Sequence, residues 1–238
     1  MREVRHLTDE QLVVLRGFFS TEASGPFVLT GGTALSSLYL HHRISDDLDF
    51  VVRDANAEKS REAVETAWAA IETLADNEGA AAQLEKSQGT PWPRVIIRPV
   101  DPEVSLKIDL MADVAITLGT PETVDGIRFD SLEDIAAGKM AALMHRTTLP
   151  GRGVLGAQQA KDFVDLYYLT TLHGYGIQDL IRLNGLKDAT VYDDLHIAAL
   201  LRRVGAITLL PRMIRPLTVD ELQRHIESLA DELTRPYL

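Results

Sequence analysis

Leu29-Thr30-Gly31-Gly32-Thr33-Ala34-Leu35, followed a few residues later by His42-Arg43-Ile44-Ser45-Asp46-Asp47-Leu48-Asp49-Phe50, is the stretch on which the reading of this chain turns. Phe27 to Thr30 is a short apolar run of strand type ending in a diglycine. Thr33 to about His42 reads as a helix with Leu35, Leu38 and Tyr39 on one face. A strand that passes directly into a helix presents backbone N–H groups at the helix N-terminus, where the macrodipole favours an anion. Gly31 and Gly32 let a phosphate approach the backbone closely, and the Thr33 hydroxyl adds a side-chain donor. The same glycines also meet a structural need, because such a turn takes φ > 0.

Leu48 to Val52 is a second strand. Alternation along it puts Asp47 and Asp49 on one face and Leu48 and Phe50 on the other. Two like charges about 7 Å apart on a strand face repel each other unless a cation lies between them. Both carboxylates could equally face water on a half-exposed sheet. The pattern recurs in Lys107-Ile108-Asp109-Leu110-Met111, where Asp109 points away from the two core positions beside it. If the two strands pair, their spacing of about 4.8 Å gathers Asp47, Asp49 and Asp109. Three hard oxygen donors suit magnesium, which keeps waters and takes substrate phosphates as further ligands. Two such ions roughly 3.5–4 Å apart activate an attacking hydroxyl and neutralise a leaving pyrophosphate.

Around this centre the chain is ordinary in bulk. It has 238 residues, 45% hydrophobic and 25% charged, and no cysteine, which excludes disulfides, thiolate metal sites and cysteine nucleophiles. No apolar run approaches the roughly 18 residues of a membrane span, and no signal-peptide core follows Met1, so a cytoplasmic protein is expected. The net charge of −11 opposes non-specific coating of nucleic acid. From Lys139 to Lys161, however, there is no acidic residue, while Lys139, Arg146, Arg152 and Lys161 are cationic, a local surface suited to a polyanion or simply a solvated helix end.

Thr8-x-x-Gln11 is a capping box opening a helix with Leu12, Leu15 and Phe19 inward. Glu58 to about Asp76 is a long amphipathic helix. Strand-like runs follow at 94–98, 104–111, 114–117 and 123–129, punctuated by glycine and proline. Ser131 reads as an N-cap for a helix to about Arg146, and after a glycine-rich loop the chain is helical over 157–172, 177–183, 190–204 and 218–233. The expected organisation is a sheet domain over 1–130 and a helical domain over 131–238.

Four blocks in this order resemble the nucleotidyltransferase toxins of the AbiEii/AbiGii family, which include the mycobacterial MenT enzymes. They are Gly31-Gly32-Thr33 with Asp47 and Asp49; the strand of Asp109; Ser131-Leu132-Glu133-Asp134 leading to Lys139-Met140-Ala141-Ala142-Leu143-Met144-His145-Arg146; and Lys161-Asp162-Phe163-Val164-Asp165-Leu166-Tyr167-Tyr168-Leu169. The likeness spans roughly residues 27–169, strains at the insertion over 147–160, and matches nothing specific after about Leu172.

The resemblance implies an α+β fold: a polymerase-beta-like nucleotidyltransferase core, a mixed sheet with flanking helices, followed by a helical C-terminal domain. It implies catalytic residues Asp47, Asp49, Asp109 and Lys139, with Mg2+ on the three aspartates and a nucleoside triphosphate as substrate. Lys139 and Arg146, seven apart and on one helix face, are expected at the triphosphate oxygens. Asp162 and Asp165 lie one turn apart, and Asp165 either pairs with Lys139 or Arg146 or joins the site itself. Ser45 is expected to place its hydroxyl near the triphosphate, where a phosphate group would repel the substrate; its plainer role is to cap the turn into the strand. The implied acceptor is a tRNA 3′ end, and the implied partner a cognate antitoxin. A small-molecule acceptor, which the acidity would suit, and a nucleotide-binding module without turnover are the alternatives.

Overall fold

A computed structural model describes residues 2–54, 56–77, 81–86, 93–98, 106–113, 116–147, 157–188 and 192–237, with the backbone alone at 77, 81–86, 93–98, 146–147 and 157–159. The chain divides into two compact units. One is Met1–Tyr39 with Ser45–Leu132; the other is Leu40–Ile44 with Glu133–Leu238.

The first unit is built on a seven-stranded mixed sheet. Its strands are β1 (Phe27–Thr30), β2 (Leu48–Arg53), β3 (Ala81–Lys86), β4 (Pro93–Arg98), β5 (Leu106–Asp113), β6 (Glu122–Val124) and β7 (Ile127–Phe129), in the order β3-β4-β5-β2-β1-β7-β6. The β2–β5 and β1–β7 pairs are parallel and the others antiparallel. Helix α1 (Asp9–Phe19) opens with the expected capping box: the Gln11 amide donates to Thr8 Oγ1 at 3.2 Å, and the Thr8 amide donates to Gln11 Oε1 at 3.0 Å. Gln11 is buried and also donates through Nε2 to the Ser45 carbonyl at 2.9 Å, so the cap fixes the chain entering β2. Leu15 and Phe18 form the buried face of α1, whereas Phe19, expected inside, is only half-buried. The Phe18 ring stands 4.8 Å from Phe50 and 5.8 Å from Phe27, joining helix to sheet through aromatic contact. Helix α3 (Ala57–Asn77) buries Val64, Ala67, Ile71 and Ala75, spaced as one helical stripe.

Two strand expectations change. Residues 123–129 are a hairpin and not one run. Asp125 and Gly126, with φ of 52° and 78°, form the two-residue turn between β6 and β7, the left-handed pair that hairpin twist favours. Of the strand expected over 114–117, residues 114–115 lie outside the described residues, and Ile116 and Thr117 belong to no strand.

After β1 the chain turns helical at once, as α2 (Gly31–Ala34), and continues in wider five-residue turns over Leu35–Leu40. The first segment of this unit ends at Tyr39, whose hydroxyl donates to the Asp130 carbonyl at 2.7 Å.

The second unit contains α4 (Leu132–Thr147), α5 (Ala157–Leu172), α6 (Ile177–Lys187), α7 (Asp194–Leu201) and α8 (Val219–Thr234). The helix expected over 190–204 tightens to 3-10 turns at Arg202–Ala206. Helix α8 buries Leu222, Ile226, Leu229, Ala230 and Leu233 and packs with α5 and α7. Leu40–Ile44, which the sequence places with the sheet, belongs here through main-chain bonds. The Ile44 amide donates to the Arg212 carbonyl at 2.8 Å, and the amides of Ile214 and Arg215 donate to the His42 carbonyl at 2.8 and 3.0 Å. Arg215 Nε donates to the Leu40 carbonyl at 2.9 Å. Among the described residues, no helix is long and apolar enough to cross a membrane.

Candidate functional site

In the first unit the register sets the centre. Parallel pairing of β2 with β5 puts Asp49 opposite Asp109, and antiparallel pairing of β1 with β2 puts Thr30 opposite Asp49. Strand β4 continues the row, with Arg94 opposite Asp109. Buried Leu48, Phe50, Ile108 and Leu110 hold the other face against the core, so the pleat keeps Asp49, Lys107 and Asp109 half-buried on one side.

The diglycine has two distinct reasons to be there. Gly31 takes φ +69°, and a Cβ at that position would stand 2.8 Å from Asp49 Cγ, overlapping the carboxylate. Gly31 therefore makes room for Asp49 as well as turning the chain. Thr33 is buried and its hydroxyl donates to the Asp47 carbonyl, so in this structure the donor expected to meet a phosphate holds the entrance of β2. Gly32 is buried within the same turn. Ser45 is half-buried, and its carbonyl carries the bond from Gln11.

Lys107 is the residue the sequence reading passed over. Its ammonium lies 3.3 Å from Asp47 Oδ2 and 3.0 Å from Asp109 Oδ2. The signal was there in the alternation, since Lys107 and Asp109 are two apart on one strand and so share a face. Among the described residues, no three carboxylate or imidazole side chains already converge to hold a metal ion. The donor set nevertheless suits a hard divalent cation. It is all carboxylate oxygen, open enough to solvent for an ion to keep waters, and already carries a positive charge between two of its members.

The second unit holds its own charged centre, on Asp165 of α5. This buried carboxylate accepts from Arg43 Nε at 2.6 Å, Arg43 Nη2 at 2.9 Å and His42 Nε2 at 2.8 Å, and pairs with Lys139 Nζ of α4 at 2.7 Å. Burial alone would raise the Asp165 pKa. The charges of Arg43 and Lys139, with the hydrogen bonds from His42 and Arg43, outweigh it and hold the pKa well below the usual carboxylate range. For His42 burial wins, and its pKa is lowered despite Asp165. Its Nε2 faces Asp165, while Nδ1 is buried without a hydrogen-bond partner, so the neutral Nε2–H tautomer fits the site.

Of the residues expected here, Lys139 and Asp165 meet directly, and Asp162 is buried on the same helix. Lys161 is half-buried. Arg146 lies two turns beyond Lys139 on α4, but its side chain falls outside the described residues, as does Arg152 entirely. His42 and Arg43 were not expected as members. Arg43, buried with two bonds to one carboxylate, carries the largest of the fully buried side chains.

Two solved structures resemble the whole chain. One is JHP933 from Helicobacter pylori, 17% identical, covering 97% of this chain and 94% of that one, with a TM-score of 0.53. The other is an H. pylori protein provisionally described as a nucleotidyltransferase, also 17% identical, covering 97% of each chain, with a TM-score of 0.54. At that identity the likeness establishes a shared fold. A search of curated proteins gives no match. A family model described as "Nucleotidyl transferase AbiEii toxin, Type IV TA system" matches residues 14–236. Because that match takes in both the aspartates of the sheet and the charged centre of the helical unit, the chain belongs to the AbiEii family of nucleotidyltransferase toxins.

Proposed function

We propose that this nucleotidyltransferase moves a nucleoside monophosphate from a triphosphate to the 3′ end of a tRNA, releasing pyrophosphate, with magnesium held by Asp47, Asp49 and Asp109. The observation that carries the reading is the parallel register of β2 and β5, with Asp49 opposite Asp109. That pairing brings two carboxylates to one level of one sheet face, with Asp47 two residues away on the same strand path. Bound there, magnesium would polarise the phosphoryl oxygens and lower the pKa of the attacking hydroxyl.

The chain's own residues do the positioning. Gly31 admits the Asp49 carboxylate against the backbone, and the start of α2 offers N–H groups to an anion. Thr33 and Gln11 fix the carbonyls of Asp47 and Ser45, which sets the direction in which the aspartates leave the strand. In the helical unit Lys139 offers a compact positive charge to triphosphate oxygens, with Asp165, itself held by Arg43, fixing its ammonium. The family resemblance adds Arg146 and Asp162 to this set. What supports a tRNA acceptor is the family resemblance, together with the acid-free run between Lys139 and Lys161. The type IV toxin family also implies an antitoxin encoded as its partner.

The test is incubation with each labelled triphosphate, magnesium and total tRNA, followed by a denaturing gel. Label should enter tRNA with at least one triphosphate, depend on the divalent ion, and vanish in Asp49→Ala. Transfer to an aminoglycoside but not to tRNA would replace the acceptor. Absence of pyrophosphate release with every acceptor would overturn the reaction.

A further inference from the structure

We propose that Lys107 is a resident cation of the acidic sheet face, whose ammonium exchanges with the divalent ion and then moves onto the triphosphate. The inference rests on the metal reading above and deepens it. Lys107 Nζ bonds Asp109 at 3.0 Å and Asp47 at 3.3 Å, so one ammonium serves two of the three aspartates assigned to the metal. The three side chains are 29% (Lys107), 34% (Asp47) and 17% (Asp109) exposed, so the group is neither sealed in the core nor freely solvated.

Two physical consequences follow. Without a cation, carboxylates crowded on one sheet face repel, and the lysine relieves this in the absence of metal. A divalent ion arriving alone must then displace an ammonium that already holds two of its ligands. Its affinity is reduced by that competition. A metal–triphosphate complex meets no such penalty, because it brings an anion for the displaced ammonium. Lysine suits the exchange: it is a point charge with three rotatable donors on a flexible stem, anchored on β5 two residues from Asp109. Metal and nucleotide should therefore bind with positive coupling, and Lys107 should be its source.

The experiment is Mn2+ binding by electron paramagnetic resonance, with and without a non-hydrolysable triphosphate, on the wild-type chain, Lys107→Met, Lys107→Arg and Asp49→Ala. Lys107→Met should bind Mn2+ alone about tenfold more tightly than wild type, as expected when a competing charge a few ångströms away is removed. Its gain in Mn2+ affinity on adding the triphosphate should shrink, and Lys107→Arg should stay close to wild type. Unchanged or weaker Mn2+ binding in Lys107→Met, beside measurable binding in wild type, would overturn the exchange while leaving the metal site standing. Mn2+ binding that ignores Asp49→Ala would remove the metal site itself, and the exchange with it. A second measurement needs no folded Met variant: the Lys107 side-chain ammonium resonance of the wild-type chain, assigned through Lys107→Arg, should move as magnesium and triphosphate saturate. A resonance that stays in place at saturation overturns the proposal.

Discussion

The Asp49 carboxylate occupies the space beside Gly31 that any other residue's Cβ would fill. Gly31 is therefore doubly constrained, by φ +69° and by the aspartate against it. Gly31→Ala should cost about 1–2 kcal/mol for the left-handed backbone alone. It should also push Asp49 off its position, and a misplacement near 1 Å lowers transfer by about a hundredfold. Thermal melting and the tRNA-labelling assay check the two effects. Activity within twofold of wild type would mean that the carboxylate position is not critical.

Asp165 is the keystone of the charged centre in the helical unit. Removing its carboxylate leaves Arg43, buried, and Lys139, mostly buried, without their shared anion, which typically costs about 3–5 kcal/mol. Asp165→Ala should lower the urea midpoint by a corresponding amount, and Asp165→Ala with Arg43→Met should cost less than the sum of the two single changes. Asp49→Ala, by contrast, removes one carboxylate from a crowded acidic face and should leave the midpoint level or higher. Strict additivity in the Asp165/Arg43 cycle would show that the pair is not coupled.

The sheet half of this arrangement could be read along the chain because strands alternate with period two. Asp47-Leu48-Asp49 and Ile108-Asp109-Leu110 each declare a wet and a dry face. Their meeting then needs only that β2 and β5 pair, which they do. What could not be read was carried by distant partners. Nothing local in His42-Arg43-Ile44 announces an antiparallel bridge from Arg43 to Met213, nor a buried carboxylate on α5 as the reason for the arginine. Strand β3 was missed for a different reason: Ala-Ala-Gln-Leu-Glu-Lys favours helix, and pairing with β4 overrides that preference. The Asp125-Gly126 turn is legible as an Asp-Gly pair, but the apolar residues on either side also read as one continuous strand.

Acid should weaken the fold through His42. In the unfolded chain its imidazole protonates near 6.5, whereas in the folded chain burial lowers that value, helped by the nearby charges of Arg43 and Lys139. As pH falls from about 6.5 to the lower folded value, the unfolded chain binds more protons and stability declines; below the folded value the loss levels off. Asp165 works in a separate and more acidic window, since its contribution is lost as pH falls from the ordinary carboxylate range toward its own strongly lowered pKa. His225 is shifted the same way as His42 by partial burial, so it must be separated. Urea midpoints between pH 7.5 and 5, a range of about one unit or more on each side of the ordinary imidazole pKa, should fall in wild type and in His225→Gln. They should flatten in His42→Gln, which keeps a donor for Asp165. A slope in His42→Gln equal to that of wild type would assign the effect to other groups.

Thr33 separates a structural bond from a substrate contact. Its buried hydroxyl donates to the Asp47 carbonyl, two residues before Asp49, and so holds the chain where it enters β2. Thr33→Val keeps the shape of the side chain but leaves that carbonyl without its donor, at a cost of about 1–3 kcal/mol. Thr33→Ser restores a hydroxyl at the same Cβ and should recover most of the loss. If the bond fixes the aspartates, Thr33→Val should lower the melting temperature and the Mn2+ affinity together, with the triphosphate KM changed only as far as metal binding is. If the hydroxyl instead serves a triphosphate oxygen, the valine variant should melt like wild type and bind Mn2+ alone equally well, with only the KM raised. Melting curves, Mn2+ titration and steady-state kinetics on these two variants therefore decide between the two roles. A valine variant unchanged in all three would remove Thr33 from the site.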